Sequence, residues 1–298
     1  MRLVQFLQNG RQCLGLEVFE GGDIVNLNHA DETIPHDMRT FIECGEDMWK
    51  RARSVSNRPY CLVHRDNVKL LAPITSCEKV LCIGMNYRDH CKEQNAPIPD
   101  DPVVFNRFPS CINGPNDDLS YPGETEYLDW EAELAIVVGK QAKNIQLEDA
   151  MQYVFGYTAA NDVCARDWVM KNGGQVLLSS AMDQTCPLGP SLVTTDELGD
   201  PHNLNIRCKV NGAIKQDSNT SQLIYKTEKI ISHITRFITL KPGDVILTGS
   251  PPGVGHCMNP PEYLQVGDLV EVELEKIGTI KTKIVRTEAH NYSLSQRS

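Results

Sequence analysis

The segment that most constrains the fold lies at residues 129–140 and reads DWEAELAIVVGK. Its five consecutive apolar residues, 134–138, predict a strand that is covered on both faces and ends at a glycine. Because successive side chains of a strand alternate between its faces, Glu131 and Glu133 project to the same side, about 6.6 Å apart. Like charges this close require compensation, from water on an exposed face or from a cation in an enclosed one. The segment therefore indicates a divalent-metal site at the lip of a cavity, with a solvated strand entrance as the alternative.

A third carboxylate belongs to the next predicted strand. Residues 156–163 have strand character, and Asp162 stands at the end of that run. Three carboxylates from two strands suit a hard cation such as Mg²⁺ or Ca²⁺, and they leave coordination positions for water and a bidentate substrate. An Asx-turn or a helix N-cap is the alternative role for Asp162.

A histidine and a glutamate follow a second apolar run. Residues 79–84 predict a buried strand that ends in glycine, and residues 85–93 predict a turn of helix after it. On a helix His90 and Glu93 share a face, so the carboxylate would orient the imidazole and raise its basicity. This spacing indicates an acid/base pair, and a surface pair without chemistry is the alternative. The proline-rich residues 96–102 predict the rim of a loop.

Charge and cysteine usage exclude several classes of protein. The chain has 39 acidic and 29 basic residues and a net charge of −10, so it lacks the basic surface that binds nucleic acid or anionic membranes. No apolar run approaches the length of a transmembrane helix. The 11 cysteines include no C-x-x-C pair, which indicates free thiols in a reducing, intracellular compartment. Apolar and polar residues alternate at the start of the chain as in a strand, and this segment does not resemble a transit peptide. We therefore expect either a cytosolic protein or an organellar protein whose targeting sequence is missing from this chain.

Two structural units are predicted. Residues 1–75 form a small β-rich module, in which Asn-Gly and Gly-Gly dipeptides separate short strand-like runs and a helix is expected at residues 38–53. This module contains no catalytic grouping, so we expect it to be a lid, a dimerisation surface or a packing partner. Residues 76–298 form the second unit, with a further short helix at residues 148–155. The coarse prediction is a mostly β, mixed fold with few helices.

Three ordered blocks resemble the signature segments of the fumarylacetoacetate hydrolase superfamily. They lie at residues 129–134, 161–167 and 241–255, and the run GMNYRDH at residues 84–90 accompanies them. The similarity extends from the first residue to near Ile284. It implies the family's mixed β-roll, C-terminal-like fold behind a small β-rich module, and it implies a homodimer.

The resemblance also implies roles for the candidate residues. Glu131, Glu133 and Asp162 would hold a Mg²⁺ ion, or Ca²⁺ or Mn²⁺ in its place. A lid would carry His90 and Glu93 as the acid/base dyad. The family's substrates are small oxo acids and β-dicarbonyl compounds, and its reactions are C–C hydrolysis, decarboxylation and keto–enol tautomerisation. For this branch the implied activity is oxaloacetate tautomerisation, and the implied compartment is the mitochondrion.

One piece of chemistry unites these reactions. A dicarbonyl compound chelated by a divalent cation is more acidic at the intervening carbon, because the metal stabilises the enolate. A positioned base then decides between moving a proton and activating water. We expect Thr248 and the glycine-rich turn after it to donate hydrogen bonds to a substrate carboxylate, and Arg166 or Arg107 to add a charge-assisted contact.

The sequence departs from the family pattern in the substrate site. Ser180 occupies the place of a usual lysine, Gln184 that of a usual threonine, and Val169 that of a common substrate-contacting glutamine. A missing cation beside a substrate oxyanion costs about two or more powers of ten in rate. Three functions follow as hypotheses: an oxaloacetate tautomerase, an acylpyruvate-type C–C hydrolase or decarboxylase, and a degenerate metal-binding homologue with little catalysis.

Overall fold

The computed structural model of the protein describes residues 1–56, 59–171 and 174–286. Its strands are β1 (Arg2–Gln8), β2 (Arg11–Glu17), β3 (Ile24–Asn26), β4 (Leu62–Val63), β5 (Lys69–Leu71), β6 (Val80–Gly84), β7 (Val103–Arg107), β8 (Ile112–Asn113), β9 (Leu119–Tyr121), β10 (Leu128–Asp129), β11 (Ala132–Val138), β12 (Val154–Asn161), β13 (Cys164–Ala165), β14 (Cys186–Thr194), β15 (Asn205–Val210), β16 (Ala213–Asn219), β17 (Val245–Leu247), β18 (Leu269–Leu274) and β19 (Gly278–Arg286). Its α-helices are α1 (Leu27–Ala30), α2 (Met38–Glu43), α3 (Glu46–Ser54), α4 (Arg88–Glu93), α5 (Arg166–Met170), α6 (Val176–Ser180), α7 (Thr195–Leu198) and α8 (Thr227–Thr235). Turns of 3-10 helix lie at Pro59–Cys61, Arg65–Asn67, Pro109–Cys111, Leu147–Tyr153, Thr220–Gln222 and Gly255–Cys257.

Two mixed sheets make up most of the described chain. The larger sheet has 12 strands in the order β4-β3-β2-β1-β14-β12-β11-β17-β6-β7, with β5 beside β1 and β8 beside β14. The second sheet has five strands in the order β16-β15-β18-β19-β9, and β10 and β13 form a separate pair. Most neighbours are antiparallel, whereas β17 and β6 are parallel. The predicted mostly β, mixed fold with few helices is confirmed.

The central strand β11 is buried on both faces, as its apolar run predicted. Its alternate residues Leu134 and Ile136 pack in a core that includes the five-stranded sheet and α8. Ala135 and Val137 point the other way, into a core that includes α1, α2 and α3. Glu133 has the same alternation as Ala135, so it leaves the strand on that second face, at the end where the apolar run begins.

Two predicted helices take a different form in the structure. The helix expected at residues 38–53 is divided into α2 and α3, because Gly45 between them has a φ of +76° and starts the second helix. The helix expected at residues 148–155 is a 3-10 turn at Leu147–Tyr153, after which β12 begins. In both places the structure has helical turns, but the predicted single α-helix was wrong.

Strands of the first 75 residues belong to the same 12-stranded sheet as strands of the rest of the chain. Strand β1 pairs with β14, with Arg2 opposite Val193 and Leu3 opposite Leu192. The division into units 1–75 and 76–298 stays a prediction, and residues 287–298 of the second unit lie outside the described residues. Within the described ranges, no helix is long and apolar enough to cross a membrane.

Candidate metal centre and catalytic pair

Three carboxylates converge where β11 begins and β12 ends. Glu131 directly precedes β11, Glu133 lies inside it, and Asp162 directly follows β12. One oxygen atom from each side chain lies within 4.8 Å of the others. Glu133 and Asp162 are buried, at 2% and 3% exposure. The structure therefore brings the three predicted metal ligands together in an enclosed place, and their ligand role stays a prediction.

Backbone pairing explains this convergence. Strands β11 and β12 are antiparallel, with Ala132 opposite Asn161. One step beyond, the N–H of Asp162 donates to the carbonyl of Glu131 at 2.8 Å, and the N–H of Glu131 donates to Oδ1 of Asn161 at 3.0 Å. Opposed residues of an antiparallel pair point to the same face. Glu133, two residues along the strand, completes the group.

Glu133 is the most enclosed of the three. Its burial, followed by the neighbouring charge of Glu131, raises the pKa of Glu133 well above the usual value. Its Oε2 accepts the backbone N–H of Gly249 at 2.6 Å. Gly249 has a φ of +103°, and a Cβ there would lie 2.9 Å from the Cβ of Asn86, so this approach requires a glycine. A divalent cation would take the place of the proton that burial favours on Glu133.

Arg107, a predicted substrate contact, is fully buried against the cluster. Its Nη1 pairs with the carboxylate of Asp162. Its Nη2 donates to the hydroxyl of Thr185 at 2.5 Å and to the carbonyl of Val163 at 3.2 Å. Arg107 is not among the described residues that line the cavity, so its observed contacts hold Asp162 in place. Contact with substrate stays a prediction for this residue.

Arg166, the other predicted cationic contact, lies at the start of α5 and lines the cavity. Its Nε donates to Asp129 at 2.8 Å, and its Nη2 pairs with Glu131. Asp129 is fully buried and also accepts the N–H groups of Gly255 at 2.7 Å and His256 at 3.0 Å. A buried carboxylate with three such donors is held in one orientation, and it carries Arg166 with it.

The charges of this cluster fit a hard divalent cation. The four carboxylates just described face the two guanidinium groups of the arginines. With Glu133 deprotonated, as cation binding requires, the described part of the chain has two negative charges in excess in a largely buried space. A divalent cation matches that excess, and carboxylate oxygens are the ligands that Mg²⁺, Ca²⁺ and Mn²⁺ accept. The residues present therefore suit such an ion.

The predicted acid/base pair lies on one face of α4. Nδ1 of His90 is 2.8 Å from Oε2 of Glu93, and Nε2 of His90 is 2.7 Å from the side-chain nitrogen of Gln94. Because a carboxylate accepts hydrogen bonds, we assign the ring proton to Nδ1, which leaves Nε2 as the basic nitrogen. Glu93 in turn accepts the N–H of Gly253 at 3.0 Å. The arrangement orients the imidazole for proton transfer.

The glycine-rich segment after β17 holds acidic side chains of the protein itself. The N–H groups of Gly249, Gly253 and Gly255 donate to the site's own carboxylates, as described above. The Thr248 hydroxyl is fully buried and donates to the carbonyl of Leu134 at 2.9 Å. These predicted donors to a substrate carboxylate therefore have protein partners. Substrate contact by Thr248 stays a prediction.

Several of these groups border one cavity of about 510 Å³. His90, Gln94, Arg166 and the three converging carboxylates line it together. A second part of the lining is apolar, and it consists of Val103, Phe105, Val169, Met170 and Val176, among others. Ser180, on α6, also lines the cavity. Gln184 is exposed, and its N–H donates to the carbonyl of Ser110 at 3.0 Å. Two of the three departures from the family pattern are thus in the cavity wall.

Comparison with known proteins identifies the family. The family model described as fumarylacetoacetate (FAA) hydrolase C-terminal matches residues 79–285. The chain belongs to the fumarylacetoacetate hydrolase family. A relative within this family, the mitochondrial oxaloacetate tautomerase fahd2 of Xenopus laevis, is 52% identical over 288 residues, which cover 96% of this chain and 90% of the relative. The predicted family is confirmed.

Solved structures of the fumarylacetoacetate hydrolase family share the fold. The fumarylacetoacetate hydrolase of psychrophilic Exiguobacterium antarcticum has a TM-score of 0.85 and 34% identity, over 96% of this chain and 99% of that one. The maleylpyruvate hydrolase of Sphingobium sp. SYK-6, in complex with a manganese(II) ion and pyruvate, has a TM-score of 0.78 and 25% identity, over 96% and 99% of the two chains. The predicted β-rich family fold is confirmed.

Sequence reasoning missed two residues of this fumarylacetoacetate hydrolase site. Asp129 orders Arg166 and the 3-10 turn at Gly255–Cys257, and its position two residues before Glu131 was the available signal. Gln94 contacts Nε2 of His90, and its spacing of four residues on the helix was the signal there.

Proposed function

We propose that the protein is a divalent-metal-dependent tautomerase that converts the enol form of oxaloacetate to the keto form. The observation that carries the proposal is the meeting of three carboxylates and His90, which Glu93 orients, in one cavity. The Xenopus relative, 52% identical over 96% of this chain, bears the name of this activity. The two tautomers differ in the position of one proton, so the reaction needs one acid/base group and stabilisation of negative charge on oxygen.

His90 moves the proton in this proposal. Its Nε2 takes the proton of the enol hydroxyl as that O–H bond breaks, and it returns a proton to the adjacent carbon as the C–H bond forms. Glu93 accepts the Nδ1–H and stabilises the imidazolium that exists between the two transfers. Gln94 now contacts Nε2 at 2.7 Å, so its amide must rotate away before the enol hydroxyl can approach.

Glu131, Glu133 and Asp162 would hold the divalent cation. When bound, the cation would polarise the oxygens of the oxo acid and stabilise negative charge on them. We propose Mg²⁺, with Ca²⁺ or Mn²⁺ as alternatives, because the donors are all carboxylate oxygens. The manganese(II) ion of the maleylpyruvate hydrolase with a TM-score of 0.78 supports a divalent cation in this family.

The cavity wall also supports a second candidate function, a metal-binding homologue with little turnover. Ser180 and Val169 line the cavity where relatives usually carry a lysine and a glutamine. Neither residue here offers a charge to a substrate oxyanion. Arg166 is the cavity-lining guanidinium that we assign to the carboxylate of the oxo-acid group, next to the cation, once that cation engages Glu131.

We also propose a homodimer and a mitochondrial location. Phe108, Met170 and Leu178 are 51%, 58% and 49% exposed, and β7, α5 and α6 that carry or adjoin them pack together. Apolar side chains grouped in this way are typical of a surface that binds another chain. The printed name of the Xenopus relative includes its mitochondrial location. Analytical ultracentrifugation tests the dimer, and imaging of a carboxyl-terminally tagged full-length protein tests the compartment.

Ultraviolet absorbance of enol-oxaloacetate tests the main proposal directly. The purified protein is mixed with the enol, with Mg²⁺ or with a chelator, and the decay is compared with the spontaneous rate in the same buffer. A tautomerase accelerates the decay in proportion to enzyme concentration and only with the metal. A decay equal to the spontaneous rate at every concentration, with Mg²⁺ binding retained, favours the binding homologue. Pyruvate and carbonate are assayed in parallel, because their formation would indicate decarboxylation instead.

A further inference from the structure

The cavity leaves one end of a dianionic substrate without an obvious partner. Oxaloacetate has an oxo-acid group, which the proposed function assigns to the cation, and a second carboxylate at the other end. Among the described residues that line the cavity, Arg166 is the only lysine or arginine, and its guanidinium is paired with Asp129 and Glu131. Ser180 offers only a neutral hydroxyl. The second carboxylate therefore needs another donor.

His256 lines the cavity and has an unused ring nitrogen. Its Nδ1 lies 3.0 Å from the hydroxyl of Tyr263, whereas its Nε2 has no hydrogen-bond partner in the described part of the chain. We assign the Tyr263 hydroxyl as the donor to Nδ1, so the neutral ring carries its proton on Nε2. Tyr263 is itself stacked on Tyr127, with 4.7 Å between ring centroids. The ring of His256 is therefore oriented by a side chain that is also fixed.

The backbone of His256 contacts the carboxylate that also holds Arg166. Its N–H donates to Oδ2 of Asp129 at 3.0 Å, and Nε of Arg166 donates to the same oxygen at 2.8 Å. The two residues are thus neighbours across one buried carboxylate. His90, the other histidine that lines the cavity, already has both ring nitrogens in contact, with Glu93 and Gln94.

We propose that His256 binds the distal carboxylate of the substrate through Nε2–H and thereby gives the site its preference for dianionic oxo acids. The inference rests on the proposed function for the direction in which the substrate lies. It assigns to His256 the contact that a lysine at position 180 would otherwise supply. A hydrogen bond from a ring N–H to a carboxylate, lost on mutation, corresponds to about a ten- to hundredfold change in affinity.

Binding of malate and lactate in the presence of Mg²⁺ tests the proposal without turnover. Both acids present a 2-hydroxy acid group to the cation, and only malate has a distal carboxylate. Calorimetry should show that wild type binds malate at least about tenfold more tightly than lactate. His256→Ala should bring the two affinities within about twofold by weakening malate alone. His256→Gln, which keeps a side-chain N–H, should retain an intermediate preference.

Controls separate this contact from a loss of structure. His36→Ala removes an exposed histidine that lies between α1 and α2. It should leave both affinities at the wild-type values. Thermal unfolding checks each variant, and His256→Asn replaces His256→Ala if the latter does not fold. In turnover, His256→Ala should raise KM for enol-oxaloacetate more than about tenfold, with a smaller effect on kcat.

Three results would overturn the inference. One is a malate preference that survives in His256→Ala, which would place the distal carboxylate on another residue. Another is a wild type that binds malate and lactate equally. A third is the lack of any Mg²⁺-dependent binding of either acid, which would also remove the metal site. By contrast, a protein that fails the tautomerase assay but loses its malate preference in His256→Ala supports the inference while the proposed function fails.

Discussion

The acidic end of the cavity and its helical wall are built in different ways. Glu133 and Asp162 stand on or beside strands β11 and β12, which are buried along their whole lengths. The helical wall draws on α5 and α6, each five residues long, where Met170 and Leu178 are 58% and 49% exposed. Strand pairing and buried ion pairs fix the first region. In the second region, ion pairs hold Arg166 at the start of α5, while Met170 and Leu178 stay exposed.

This difference explains where the chain departs from its family. A change of Asp162 would leave the buried Arg107 without its carboxylate partner. Such a change is strongly destabilising, about 3–5 kcal/mol when one partner of a buried pair is removed. Among the described residues, the Ser180 hydroxyl contacts that of Ser179 at 3.3 Å, so its replacement leaves no charged group unpaired. Asp162 is thus constrained by stability as well as by function.

The largest expected effect breaks the acidic end. Glu133→Gln removes the most buried carboxylate and should weaken Mg²⁺ binding by more than about a hundredfold, since even losses around metal ligands cost ten- to hundredfold. Isothermal titration with Mg²⁺ and Mn²⁺ measures the change. Glu148→Gln, at an exposed glutamate, is the matched control and should bind as wild type does. Normal metal binding by Glu133→Gln would remove the central premise of the site.

The next effect separates proton transfer from metal binding. His90→Gln should lower kcat for enol-oxaloacetate by about a hundredfold to ten thousandfold, because the residue that carries the proton is lost. Its Mg²⁺ affinity should stay within about twofold of wild type, since His90 contacts Glu93 and Gln94 and no carboxylate of the cluster. Stopped-flow absorbance measures kcat. An unchanged kcat would reduce the His90–Glu93 pair to a structural contact.

A gain of function at the helical wall sharpens the comparison. Ser180→Lys restores a cation beside the substrate and should raise kcat/KM about tenfold to a thousandfold, which corresponds to about 1.4 to 4 kcal/mol of transition-state stabilisation. The measurement uses enol-oxaloacetate and an acylpyruvate at saturating Mg²⁺. Gln184→Lys places the same charge on a nearby exposed residue and should have no such effect. If wild type is already efficient and the lysine variant is no faster, another residue already makes this contact, and His256 and Arg166, which line the cavity, are the first residues to test.

The smallest expected effect is a pH dependence of metal binding. Because burial and Glu131 raise the pKa of Glu133, a proton competes with the cation for that carboxylate up to a higher pH than is usual for a glutamate. Mg²⁺ affinity should therefore fall as the pH falls through the raised pKa, by up to about tenfold per pH unit, and level off above it. Titration in two buffers with different ionisation enthalpies measures the proton released. Binding that releases no proton at any pH would contradict this assignment.

The sequence by itself determined the parts of the site that depend on local periodicity. The apolar run after Glu133 predicted a strand covered on both faces, and the alternation of side chains put Glu131 and Glu133 on one side. Helical spacing put His90 and Glu93 on one face, and the structure joins them at 2.8 Å. The end of the next strand-like run supplied Asp162, and the ordered family blocks agreed with it. Each of these features depends on residues close together in the sequence, so the local pattern is enough to predict it.

Only the tertiary structure decided what the long-range partners are. Gly249 donates to Glu133 across 116 residues, and Arg107 reaches Asp162 across 55. The same is true of His256 and Asp129, which are 127 residues apart. A glycine-rich turn or a lone arginine has the same local pattern whichever carboxylate it meets. Packing decides, because a buried polar group must find a partner within reach, and that partner is set by how the strands pair and not by the neighbouring sequence.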